Sequence, residues 1–364
     1  MAFDHANPDF NKNIRQYWQD FHPMGFTENY GGTWMPLTYE YIKEILLDTD
    51  HFSNRGVMVS NDLPPDMPGG GAPPITADPP YHFEARQRVQ PPFSFKEVEK
   101  LEDRLRGICQ SWDGTDGSDY GLYVALQSMS GMLGFDPDFF SSAVPDIFEN
   151  INLEPEKSLE KIMVYMDYVG QQIDNHVPGD NLLTFLINAG SYSREQLQGM
   201  IMLLTIGSID TTWYTIGNSL HYLATHPDDL QKLQDNPELI DSAVEELLRM
   251  HSGVSTARLV KEDYNFHGYE MKKNQWILIP LNAANRDPDH FENPEEFIID
   301  RKNNKHIAFG LGIHRCLGAH LGKLELKVAI QEFIKKHPKF SLDGEVEWSV
   351  GQVRGPKKLP LRFE

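Results

Sequence analysis

From Leu197 to Ala224 the chain reads LQGMIMLLTIGSIDTTWYTIGNSLHYLA, apolar on nearly every side of a helical turn. A helix with no wet face has to run through the interior, so this stretch predicts one long buried helix. From Tyr81 to about Tyr222 apolar residues recur mainly at three- and four-residue spacing, the mark of helices, with breaks predicted at Gly114–Gly121, Asp136–Pro137 and Pro178–Gly179. Further helices are predicted over Pro237–Met250 and from about Leu317 to Lys336, where Leu317, Leu321, Leu324 and Val328 share one face. Strand character is confined to GGTWMPLTYE before the helix YIKEILLD, to ARLV and YNFHGYEMKKNQWILIPL, and to the final KLPLRFE. In the second of these stretches Lys272–Asn274 predicts a hairpin turn. The pattern gives a mainly α fold with a minor β part. With no repeat or clear linker, residues 1–364 are read as a single domain.

The helical pattern is interrupted by LPPDMPGGGAPPITADPP, Leu63 to Pro80. Proline and glycine at this density exclude a long helix or central strand, and a loop of this length suits a lid over a binding site, a flexible connector being the other reading. The formal net charge of −20 argues against nucleic acid as a partner. No run reaches the ~18–20 apolar residues a bilayer span needs. The opening MAFDHANPDFNKNIRQYW has neither a signal core nor a transit pattern, so a cytoplasmic protein with no membrane partner is expected.

There are two cysteines, Cys109 and Cys316, too few for a disulfide framework. Cys109, in KLEDRLRGICQSW, reads as a small buried apolar residue. Cys316 lies in FGLGIHRCLG, Phe309 to Gly318. Gly310 and Gly312 let the backbone take left-handed angles and approach a flat ligand closely. Cys316 then falls at the start of the predicted helix, where the dipole and free N–H groups favour thiolate. A thiolate on a rigid glycine loop suits a soft iron ligand. Three other readings remain at this point: a packed core thiol, a zinc ligand lacking the partners zinc needs, and a copper site with His314 and His320.

Three smaller constellations stand out. Glu246 and Arg249 face the same side of one helix, which an ordinary surface ion pair also explains. His82 and Arg86, one turn apart in DPPYHFEARQR, make a pair of donors suited to a carboxylate, or a solvated helix face. GSIDTT, Gly207 to Thr212, puts Asp210 in the apolar helix. Burying it is costly unless the carboxylate reaches the surface or caps a neighbour.

FGLGIHRCLG resembles the heme-binding loop of the cytochromes P-450, whose pattern is Phe-Gly-x-Gly-x-His/Arg-x-Cys-x-Gly, and every fixed position matches. The resemblance extends from about Ser53 to the C-terminus. It implies the cytochrome P-450 fold, with a long buried helix over the heme and the cysteine loop beneath it. It further implies that Cys316 is the axial ligand of the iron of heme b, seated in the loop of Phe309, Gly310 and Gly318. His82, Arg86, Arg258 and His314 would hold the heme propionates. Glu246, Arg249 and Arg301 would form a buried network behind the cysteine loop.

The same resemblance implies that Gly207 and Ser208 loosen the helix to leave a groove for dioxygen. Thr211 would then hydrogen-bond the bound oxygen while Asp210 relays protons. Ser208 stands where the family usually has Gly. Pocket-lining positions by resemblance are Leu203, Ile206, Gly207, Ile209, Val254, Ser255, Val350 and Gln352, with the lid Val57–Ile75. Their apolar character predicts a small-to-medium hydrophobic or aromatic substrate. The chain is short for the family between Gly121 and Leu182, which predicts a trimmed roof over the substrate. The C-terminal half resembles bacterial members sometimes fused to a reductase, and no flavin or nicotinamide motif is seen. Electrons are therefore expected from a separate ferredoxin or reductase, for which Lys302, Lys305, Arg315, Lys323 and Lys327 could form a positive docking patch, a solvated charge run being the other reading of these residues. The function implied is hydroxylation or dealkylation of the substrate by activated dioxygen. The alternatives are oxidative coupling or desaturation at the same heme, and a non-catalytic heme-binding sensor or carrier.

Overall fold

The computed structural model describes residues 3–8, 10, 13–64, 72–150, 155–190 and 192–364. Residues 65–71 of the long Pro/Gly loop, and 151–154 of the stretch read as short for the family, lie outside the described residues. The described chain divides into two compact units, each assembled from three separated pieces of sequence: Met1–Ala85, Asp235–Ala319 and Ser349–Arg354 in one, and Arg86–Gln234, His320–Trp348 and Gly355–Glu364 in the other. Among the described residues no helix is long and apolar enough to cross a membrane.

The first unit carries strands β1 (Met24–Thr27), β2 (Thr33–Pro36), β3 (Phe52–Ser53), β4 (Ser255–Val260), β5 (Tyr264–Phe266), β6 (Tyr269–Met271) and β7 (Trp276–Pro280). Five of them form a sheet in the order β1-β2-β7-β4-β3. The run WILIP makes β7 its centre, buried over the full strand, as a strand covered on both faces must be. It pairs antiparallel with β4, Ser255 opposite Pro280 through Leu259 opposite Trp276, and parallel with β2. Against the sheet packs helix Tyr39–Leu47, capped by Thr38, whose side chain accepts from Tyr41 N–H, and burying Tyr39, Ile42, Ile45 and Leu46. The core continues into Phe3, Phe10, Phe52, Phe266 and Ile307.

One turn differs from the sequence reading. Lys272–Asn274 does reverse the chain, with Asn274 at φ +65°, but it joins β6 to β7, and those strands belong to different sheets. The hairpin is β5–β6, turning at His267 (φ +49°) and Gly268 (φ +93°). Two positive φ angles are what a two-residue hairpin turn of the right twist requires.

The second unit is helical, with β8 (Phe340–Leu342), β9 (Glu347–Trp348), β10 (Pro356–Lys358) and β11 (Leu361–Phe363) as two small antiparallel pairs. Its axis is the helix Arg194–Thr225, 32 residues long, opened by a capping box between Ser193 and Gln196. Helix Gly117–Leu133 lies along it, N-capped by Asp116, which accepts from Ser118 N–H and Asp119 N–H. The break expected over Gly114–Gly121 therefore ends at Asp116, and Gly121 is inside the helix. A Cβ on Gly121 would sit 2.6 Å from Trp213 O, so glycine here serves close helix packing and not a turn. The sides are tied by Trp213 Nε1, which donates to Ser118 Oγ at 2.7 Å, and by Ser118 Oγ, which donates to Pro356 O at 2.6 Å.

Candidate functional site

The cysteine loop is shaped by its glycines. Gly310 and Gly312 have φ of +68° and +72°, a region costly for residues with a Cβ. A Cβ on Gly312 would press on Leu47 Cδ2 at 3.1 Å and Leu46 O at 3.2 Å, while one on Gly310 would meet nothing within 4 Å. Main-chain bonds fix the path: Gly310 N–H to Ile307 O at 2.8 Å, Arg315 N–H to Gly312 O at 3.1 Å and Cys316 N–H to Phe309 O at 2.8 Å. Cys316 is exposed and forms no disulfide. The helix that follows begins at Ala319, two residues later than the start at Leu317 that the sequence pattern predicts. The turn at Leu317–Gly318 separates it from the cysteine, so the loop itself positions the sulfur.

The loop is anchored from behind. Ile307 N–H donates to Asn285 Oδ1 at 2.7 Å. Ala308 N–H donates to His306 Nδ1 at 3.2 Å, leaving His306 Nε2 to donate to Glu245 Oε2 at 2.8 Å. Next to it, Glu246 and Arg249 are fully buried and 2.8 Å apart. Arg301 Nε donates to Glu246 Oε1 at 2.9 Å, Ile298 N–H to the same oxygen at 3.0 Å, and Asn304 Nδ2 to Oε2 at 3.0 Å. Arg249 spends its other donors on Asn285 O, Pro294 O and Glu296 O. Burial opposes ionisation of Glu246, but the bonds from Arg249, Ile298 N–H and Arg301 outweigh it and hold its carboxyl below the ordinary value. The three residues thus form one buried cluster and not a surface pair.

Two of the donors proposed for a ligand carboxylate meet: the His82 and His314 rings are 4.2 Å apart, although they stand 232 positions apart in the sequence. His82 is buried on helix Tyr81–Val89, and Arg86 follows half-buried one turn later. Arg258, on β4, is buried and donates to Ala257 O at 2.7 Å. Burial pushes its guanidinium down to about 10, partly offset by Asp78. Among the described residues no carboxylate forms an ion pair with Arg258, so the site suits an acidic group on a ligand. Together with the open face of Gly310, this fits heme with its propionates.

On the helix Arg194–Thr225, Gly207 is exposed, while Leu203, Ile206, Asp210 and Thr211 are half-buried. These positions fall within one face. Ile209 does not: it is 0 % exposed and lies with Thr205, Thr212 and Ile216 on the packed flank, which removes it from the residues that can line a pocket. The helix runs unbroken through Gly207 and Ser208. Thr211 Oγ1 donates to Gly207 O at 2.7 Å and Ser208 Oγ to Thr205 O at 3.2 Å. A Cβ on Gly207 would meet no atom within 4 Å. Burial alone pushes the Asp210 carboxyl up to about 7.

In the first unit, Val254 and Ser255 meet the turn Val350–Gln352 directly: Val254 bridges Val353, and Ser255 N–H donates to Gln352 O at 2.7 Å. Val254, Ser255 and Val350 are half-buried, but Gln352 is buried and its amide is fully engaged with main-chain groups. Gln352 is thus not free to meet a substrate. Arg354, which the sequence reading passed over, follows this turn half-buried, and burial pushes it down to about 10. Its place in VGQVRGPKK gave no hint of burial. Among the described residues no group of three or more His, Cys, Asp or Glu is placed to hold a metal ion, which disfavours the copper set of His314, Cys316 and His320.

A family model described as Cytochrome P450 matches residues 138–343. The chain is 35% identical over 318 residues to a protein described as Cytochrome P450 from Bacillus subtilis (strain 168), covering 79% of this chain and 77% of that one. It is 30% identical over 356 residues to the Mycinamicin IV hydroxylase/epoxidase of Micromonospora griseorubida, covering 90% and 89%. The solved structure of the Bacillus subtilis 168 bacillaene polyketide synthase cytochrome P450 PksS superposes with a TM-score of 0.88 at 26% identity, over 100% of both chains.

Proposed function

The chain belongs to the cytochrome P450 family and is a heme b monooxygenase, and from that premise we propose that Cys316 is its iron ligand and Asp210–Thr211 its oxygen-handling pair. When bound, the heme supplies the site of dioxygen reduction, and thiolate ligation favours O–O cleavage. The observation that carries the assignment is the loop Phe309–Gly318. It has two left-handed glycines, a main-chain bond fixing Cys316, and an exposed sulfur.

The chain's own residues do the rest. His82, Arg86, Arg258 and His314 would hold the propionates. Asp210, with its carboxyl near 7, takes up and gives away a proton at neutral pH, as an acid–base group must. The Thr211 hydroxyl has one proton, spent on Gly207 O; a rotation about χ1 would free it to donate to a polar acceptor at the exposed face of Gly207. Thr211→Ala and Asp210→Asn are predicted to lower the product formed per electron consumed, with the rate of product formation falling by about 100-fold or more, the scale of a lost proton-transfer group. Unchanged coupling in both variants overturns the assignment. Isotopically labelled dioxygen separates insertion from coupling or desaturation, because only insertion carries the label into the product.

The proposed substrate is hydrophobic and small to medium in size, since Leu203, Ile206, Val254 and Val350 present apolar surface. Selectivity for carboxylic acids in a binding panel would overturn this and point to Arg354 as their anchor. Electrons are proposed to come from a separate ferredoxin or reductase.

A further inference from the structure

Gln352 is 6 % exposed, and its amide reaches segments far away in sequence. Oε1 accepts from Val59 N–H at 2.5 Å, and Nε2 donates to Val57 O and Ser255 O, each at 3.1 Å. The orientation is unambiguous, because a flipped amide would set an oxygen against two carbonyls and an N–H against an N–H. The main chain adds Ser255 N–H to Gln352 O at 2.7 Å. Backbone geometry brings the side chain there. Gly351 takes φ +99°, and Gly253 passes so close that a Cβ would lie 1.8 Å from Arg354 O.

The loop leg Val57–Val59 is braced from a second direction. Trp276 Nε1 donates to Ser60 O at 3.0 Å, and a Cβ on Gly56 would lie 2.4 Å from the Trp276 ring. This leg is the root of the segment proposed as a lid.

We infer that Gln352 is a latch, a specificity-determining positioning residue that holds the lid root, the start of β4 and the Val350–Gln352 turn in one fixed relation. The inference rests on the assignment of these three segments to the substrate pocket. A buried side chain that satisfies three backbone groups on two distant segments leaves each unsatisfied when removed. The pocket walls then move independently, and discrimination between a slim and a bulky ligand falls.

The test uses holoenzyme with Gln352→Met, close in shape and unable to form the bonds, and Gln352→Glu. Amide exchange of the peptide containing Val57–Leu63 is predicted to rise about tenfold in Gln352→Met. Binding of 4-phenylimidazole is predicted to change about fivefold or more relative to imidazole, since only the larger azole touches the walls. In Gln352→Glu a carboxylate faces two carbonyl oxygens, and exchange of the same peptide is predicted to rise as it does in Gln352→Met. Unchanged exchange in both variants overturns the latch. Raised exchange with an unchanged azole ratio overturns its role in specificity. Wild-type protein that binds neither azole counts against the heme assignment alone, because the exchange result does not depend on it.

Discussion

Asp210 and Glu325 are carboxyls placed where ionisation is unfavourable. Burial pushes both up to about 7, and the hydroxyl bonds Glu325 accepts, from Ser128 Oγ at 2.5 Å and Thr212 Oγ1 at 3.1 Å, only partly oppose it. In the unfolded chain such groups lose their protons near pH 4. Between there and about 7 the folded state binds more protons than the unfolded one. The contribution of these two groups to stability is therefore full below about pH 4 and is lost as pH rises through the folded value. Burial lowers His5, His290 and His337 and so acts in the opposite direction over this range, but from pH 5 to pH 8 the thermal midpoint of the wild type should fall relative to that of Glu325→Gln; equal changes in the two proteins would count against this account. Asp210 was legible in the sequence because it interrupts an apolar helix. Glu325, in LGKLELK, resembles any solvated helix charge, and only Ser128 and Thr212 arriving from two other helices reveal it. Gln352 was misread for the same reason, since its partners Val57 and Val59 lie nearly the length of the chain away.

Helices and strands were read well where one element supplied its own pattern, as in Arg194–Thr225 with its capping box. They were read poorly where a partner decided the outcome. Gly121 suggested a break because glycine weakens a helix, yet it is retained inside one because Trp213 O leaves no room for a Cβ. Gly121→Ala should cost about 1–3 kcal/mol as an overpacked contact, measured by chemical unfolding; a neutral result would show that the helices can separate freely. Lys272–Asn274 had turn chemistry, but pairing put its two flanking strands in different sheets. The Glu246 cluster makes a stronger prediction. Glu246→Ala leaves Arg249 and Arg301 buried without their carboxylate, and about 3–5 kcal/mol should be lost. A variant with a wild-type unfolding midpoint would mean the cluster is not structural.

For the whole molecule, a formal net charge of −20 makes an acidic electron donor an unfavourable partner except near local positive charge. Lys302, Lys305 and Arg315 are exposed and Lys323 and Lys327 half-buried, close in sequence to Cys316. If an acidic ferredoxin docks there, its apparent affinity should weaken steadily from low to physiological salt; a salt-independent affinity would argue for an apolar docking surface. The family, fold and cofactor were legible because the cysteine loop joins rare residue types at fixed spacing. The substrate was not, because its walls come from segments joined only by folding. The measurement that bears most directly on the account is the carbon monoxide difference spectrum of the reduced protein, wild type against Cys316→Ser. The account predicts a long-wavelength Soret band in the wild type that the substitution abolishes while heme remains bound. The same band persisting in Cys316→Ser would contradict ligation by Cys316 and the oxygen chemistry built on it.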